Sequence, residues 1–152
     1  MFPGFSGLLA IVSIAALVGF AVRKLSDDYS AFTFEPPNRP GGFEPILARY
    51  LRIAEFTIGL ATGSIVLLIG SSAFRGNGGH LPWYYASPLL LLGSCVLFGV
   101  GFMVWIQFWY EQFQHGVPYS RLAYSITKTL GFGSALYFCA GYIWLIIAVT
   151  RG

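Results

Sequence analysis

Four stretches of this chain contain no Asp, Glu, Lys, Arg or His, and each is long enough to cross a bilayer as a helix. They are residues 5–22 (18 residues, closed by Arg23 and Lys24) and 56–74 (19, between Glu55 and Arg75), then 88–110 (23, closed by Glu111) and 129–150 (22, between Lys128 and Arg151). A span needs about 20 apolar residues at a rise of about 1.5 Å each. Lipid offers the backbone no hydrogen bonds, so only helices or closed barrels cross it, and unbroken apolar runs of this length read as helices. The expectation is an all-α integral membrane four-helix bundle. It is a single domain over residues 1–152, with connecting segments 23–44, 75–87 and 111–128.

Composition points the same way. Charged residues make up 10% of the chain and hydrophobic ones 56%, whereas a soluble domain carries about 25% charged residues to dress its surface. The net charge of +3 resides in bases beside span ends, as a membrane protein requires, so no nucleic-acid partner is expected. Cys95 and Cys139 each lie in an apolar run, with no CxxC partner and no nearby His. They read as small packing residues, with neither a disulfide framework nor a zinc site indicated.

The first run has no basic residue before it and a basic pair after it, the reverse of a secretory signal. It therefore reads as a span that enters amino end first. With four crossings, Arg23, Lys24, Arg39, Arg49, Arg52, Arg121 and Lys128 share one side, against Arg75 and Arg151 on the other. Basic residues concentrate on the cytoplasmic side. That places the first and third connecting segments in the cytoplasm and both termini outside. Size and composition suit a bacterial inner membrane.

The segment 34–42 is too rich in Pro and Gly for regular structure. Pro45 suits a first helical position, so the second helix is expected to start there, before its apolar run. The third helix is expected to overrun its apolar stretch to about His115 and stop at Gly116, with Pro118 beyond.

Chemistry has few places to reside. Proton pumps, ion-coupled transporters and voltage sensors use ionisable residues at depth, and these runs have none. No nucleophile elbow, phosphate loop, HExxH or dinucleotide motif occurs. His80 and His115 fall on opposite sides of the membrane, so no metal or cofactor is expected. The candidate polar cluster is the cytoplasmic rim: Arg49, Arg52 and Glu55 on the second helix, Gln107, Glu111 and His115 on the third, then Arg121 and Lys128. Arg52 and Glu55 have i, i+3 spacing and Glu111 and His115 have i, i+4 spacing, both suited to pairing. The functional reading is a headgroup or anion site, or a gate titrated by His115. The plain reading is a solvated rim of ordinary ion pairs and anchors. The aromatic stretch 105–113 reads as an interfacial belt.

Small residues at helical spacing mark candidate packing positions: Ala15 and Gly19, Gly59 and Gly63, Gly93 and Gly101, Gly133 and Gly141. The leading functional expectation is a non-enzymatic membrane protein acting by assembly, as a small homo-oligomeric channel or a membrane effector. Its partners would be lipid and either further copies or a larger membrane complex. The alternatives are an accessory or scaffold subunit of such a complex, and a small lipid- or quinone-modifying enzyme using Glu111, His115 and the nearby arginines.

Overall fold

A computed structural model describes Val12, Ser13, Ala15, Ala16 and Gly19, residues 43–71 and residues 83–151. The first five are helical and exposed, and the rest of the first apolar run lies outside the described residues. Three helices follow: α1 (Glu44–Gly70), α2 (Ala86–Gln114), preceded by a 3-10 turn at Trp83–Tyr85, and α3 (Arg121–Arg151). Each is long and apolar enough to cross a membrane. The described residues contain no strand.

The helix ends have local causes. Glu44 and Pro45 occupy the first turn of α1, where an acid suits the helix dipole and proline loses no hydrogen bond. The helix stops at Gly70, short of residue 74, because Ser71 turns extended while its N–H still reaches the Leu67 carbonyl at 2.9 Å. At the end of α2, Gly116 takes φ +84°. The Val117 N–H then reaches the Gln112 carbonyl at 3.0 Å, and the Gly116 N–H reaches Phe113 at 2.9 Å. This pair of bonds closes the helix and favours a residue without a Cβ. The segment 111–128, expected as a connection, is mostly helical, and only 115–120 joins α2 to α3. The Ser120 hydroxyl accepts the Ala123 N–H at 3.1 Å and so starts α3 two turns before its apolar run.

α1 buries one narrow line. Leu47, Ala54, Ala61 and Leu68 are buried, while Leu51, Ile58 and Ile65 between them are half-buried. The alternating steps of three and four are the seam of a left-handed helix pair. α1 lies chiefly against α2, touches α3 only slightly, and leaves the α2–α3 contact as the most extensive. That contact is close because glycine provides room. A Cβ at Gly133 would stand 2.5 Å from Phe98 Cδ1, and one at Gly141 would stand 2.9 Å from Leu92 Cδ2. Tyr137 sits between these glycines on the same face and is fully buried, with Phe98 edge-on at 5.0 Å. The tyrosine is the knob that the two glycines flank. Around it lie Ala61, Leu91, Leu92 and Cys95, which fill the space between the three helices at mid-length.

Most hydroxyls within the described helices find partners locally, as lipid demands. Thr57, Ser94 and Thr129 each donate to the carbonyl four residues back. The Ser134 hydroxyl donates to the Cys95 carbonyl at 3.1 Å, tying α3 to α2. Ser64 hydrogen-bonds Tyr142 across α1 and α3, and the Tyr142 hydroxyl also reaches the Leu60 carbonyl at 3.3 Å. Tyr142→Phe removes this tie and is expected to cost about 0.6 kcal/mol, typical of such bonds in bilayers. An unfolding midpoint in micelles equal to that of the parent chain would show the tie to be idle.

Candidate functional site

The rim residues singled out from the sequence all lie toward the 115–120 end of the bundle. Arg49, Arg52 and Glu55 are exposed on α1, Gln107 and Glu111 are exposed on α2, and His115 is exposed at its C-cap. Arg121 is exposed at the start of α3, and Lys128 is half-buried. They share an end but do not converge. Arg49 follows Leu47 by two positions, roughly 200° around the helix, so it leaves α1 on the side away from α2. Lys128 Nζ sits 4.4 Å over the Tyr124 ring, a cation–π contact that lets a long basic side chain lie along apolar surface.

Aromatic side chains, rather than charges, fill the space between the helices here. Phe43, Leu47, Ile106, Tyr119 and Ala123 are buried together, with Trp105, Trp109 and Tyr110 packed against them. Trp109 meets Phe108 and Tyr119 edge to face, with ring centroids at 6.1 and 5.6 Å. Their polar tips reach particular partners. Tyr110 donates to Glu44 Oε1 at 3.0 Å, Tyr119 hydrogen-bonds Thr127, and Trp105 Nε1 donates to the Ala123 carbonyl at 3.3 Å. Trp109 Nε1 is buried and makes no hydrogen bond. Trp109→Phe is therefore expected to destabilise less than Trp105→Phe, by about 1 kcal/mol, the usual worth of one such bond. Paired melting curves check the order, and a reversed order would contradict the assignment of these two nitrogens.

Glu44, Tyr119 and Thr127 were not among the sequence candidates. The signal for Tyr119 and Thr127 lay in their i, i+8 spacing across the start of a helix that the apolar run does not reveal. Among the described residues no three of His, Cys, Asp and Glu stand close enough to hold a metal ion. Near the opposite end, burial, reinforced by the charge and hydrogen bond of Tyr84, raises the Tyr85 phenol above its ordinary pKa. This phenol packs with Leu68 and Ala148.

The candidate packing positions divide into two groups. A Cβ at Gly101 would stand 3.5 Å from Leu130 Cδ2, and Cβ atoms at Gly133 and Gly141 would meet Phe98 and Leu92. Gly99, where a Cβ would stand 2.8 Å from Ile58 Cγ1, and Gly131, where one would stand 3.2 Å from Phe102 Cε2, join them; the spacing rule applied to the sequence missed both. For Gly19, Gly59, Gly63 and Gly93, no described atom lies within 4 Å of where a Cβ would be. Ala15, Gly19, Gly59 and Gly63 are exposed. No family model, curated protein or solved structure matches this chain.

Proposed function

We propose that this chain is a non-enzymatic, multi-pass membrane protein that acts by assembling with further copies of itself, as a small pore or a membrane effector. The observation that carries the reading is the second face of α1. Arg52, Phe56, Gly59, Gly63, Val66 and Gly70 repeat the three-and-four spacing of the buried seam on nearly the opposite side, and all six are exposed. A helix with two such seams, one of them occupied among the described residues, suits a chain built to meet a neighbour. The space among α1, α2 and α3 is filled by Tyr137, Leu91 and Leu92, so a conduction path would run between copies. In the same reading the first apolar run is a fourth span, the basic residues hold the 115–120 end in the cytoplasm of a bacterium, and both termini lie outside.

Native mass spectrometry from lipid nanodiscs tests the reading. The expected result is a discrete multiple of the 16.7 kDa chain, and a strictly monomeric particle would overturn it. Reporter fusions after residue 152 test the threading, for which a cytoplasmic signal is the contrary result.

A further inference from the structure

We infer that the outward face of α3 holds one anionic phospholipid, its phosphate between Arg121 and Lys128 and its acyl chains on the apolar surface that continues the same line. α3 buries Ala123, Ser134, Tyr137, Gly141 and Ala148 on one side. Arg121, Ser125, Lys128, Phe132, Ala135 and Cys139 follow one another at steps of four and three, which keeps them on one face nearly opposite that buried side. Arg121, Phe132, Ala135 and Cys139 are exposed, while Ser125 and Lys128 are half-buried. The line is therefore basic and polar over its first two turns and apolar after them.

The dimensions are those of one leaflet. From Lys128 to Cys139 the helix rises about 16 Å at about 1.5 Å per residue, close to half of a hydrocarbon core about 30 Å thick. Lys128 Nζ lies 4.4 Å over the ring of Tyr124, one turn nearer the start of α3, following the lean of helical side chains toward the N-terminus. The ammonium thus sits near the level of Tyr124, roughly 5 Å of rise from Arg121, a distance comparable to the thickness of one headgroup layer. Two cations held this near each other repel. A phosphate between them relieves the repulsion and accepts charge-assisted hydrogen bonds from both.

Charge distribution singles out α3 among the helices at this end. Arg52 on α1 has Glu55 at i, i+3, an acid within pairing distance, whereas α3 carries no Asp or Glu along its whole length. The apolar half of the line then selects the kind of anion. A free phosphate would satisfy the bases but gain nothing from Phe132, which is 55% exposed, or from Ala135 and Cys139. An acidic protein segment would likewise meet only the first two turns. A phospholipid carries its anion and its hydrocarbon in this order and at this spacing. Neither assembly with further copies nor the direction of threading is required for such a site.

Lipid competition read by native mass spectrometry tests the site. The full chain in neutral detergent micelles receives equal amounts of phosphatidylglycerol and phosphatidylcholine with the same acyl chains, and the lipid retained by each chain is weighed. One phosphatidylglycerol per chain is expected, preferred roughly 25-fold, because each base beside an anionic lipid contributes about fivefold. Arg121→Gln or Lys128→Gln is expected to lower the preference about fivefold, and the double variant to abolish it. Lys128→Arg keeps the charge and is expected to keep the preference, as is Arg49→Gln, which removes one base from the same end of the bundle. Equal retention of the two lipids by the parent chain, an undiminished preference in the double variant, or an equal fall in Arg49→Gln would overturn the site. Displacement of the lipid by excess glycerol 3-phosphate would overturn it too, since an anion alone would then satisfy the bases. So would a lower melting temperature of the double variant with no phospholipid present, because the two bases would then be pairing within the chain.

Discussion

Gly133→Val is expected to force α2 and α3 apart, while Gly93→Val leaves the bundle intact. At position 133 even the first added carbon would stand 2.5 Å from Phe98 Cδ1 and 2.9 Å from Cε1. The Phe98 ring cannot swing away freely, because Tyr137 lies edge-on to it at 5.0 Å and is itself fully buried. Overpacking of this kind costs about 1–3 kcal/mol. A Cβ at position 93 would have no described atom of another turn or helix within 4 Å, so the same change there alters chiefly backbone propensity, a contribution common to both variants. The difference between their unfolding midpoints in mixed micelles isolates the steric cost. Equal midpoints would mean that α2 and α3 do not approach at Gly133.

The second large effect is expected at Tyr137, in the opposite sense of too little volume. Tyr137→Ala empties the middle of the core formed with Ala61, Leu91, Leu92 and Cys95. Truncating a buried aromatic costs about 3–5 kcal/mol in water-soluble proteins. Here lipid rather than water receives the exposed surface, so the lost contacts and the cavity dominate and the lower end of that range applies. Tyr137→Phe keeps the ring against Phe98 and is expected to recover most of the stability. Thermal unfolding followed by circular dichroism checks both variants, and a parent-like Tyr137→Ala would displace this residue from the centre of the fold.

Both predictions depend on a feature that the sequence disclosed only in part. Three of the four apolar runs coincide with helices long enough to span a membrane, because hydrophobicity over about 20 residues is a strong signal. Two helix ends were equally plain: Pro45 opens α1 and Gly116 closes α2, each through a residue with one strong backbone preference. The start of α3 was less plain. Arg121 and Lys128 interrupt the apolar run but not the backbone hydrogen bonds, and a single serine hydroxyl caps the helix. Apolar content reports the solvent around a helix; capping reports its length.

The candidate site was harder to read for a geometrical reason. Spacing along one helix shows which residues share a face, but not which neighbour that face meets. Gly59-x-x-x-Gly63 and the Gly133, Gly141 pair look alike as text. One faces away from the described bundle and the other lies under Phe98 and Leu92. The seam from Leu47 to Leu68 was present as a repeat of seven and escaped notice because alanine holds two of its four main positions. At the rim, acids and bases were grouped by their shared depth, yet helix phase points Arg49 away from Glu111 and leaves the interior to Trp105, Trp109 and Tyr119.

Acyl chains are expected to surround these helices, and Leu97 offers the most direct check. It is 75% exposed near the middle of α2, where a water-soluble domain would seldom place a bare leucine among so many others. A nitroxide attached at Leu97→Cys, in a background without Cys139, is relaxed either by dissolved oxygen, which concentrates in hydrocarbon, or by a water-soluble nickel chelate. Strong relaxation by oxygen and almost none by nickel is the predicted outcome, with the ratio reversed for a label at His115. A Leu97 label that nickel relaxes as readily as it does the one at His115 would contradict a membrane location for α2.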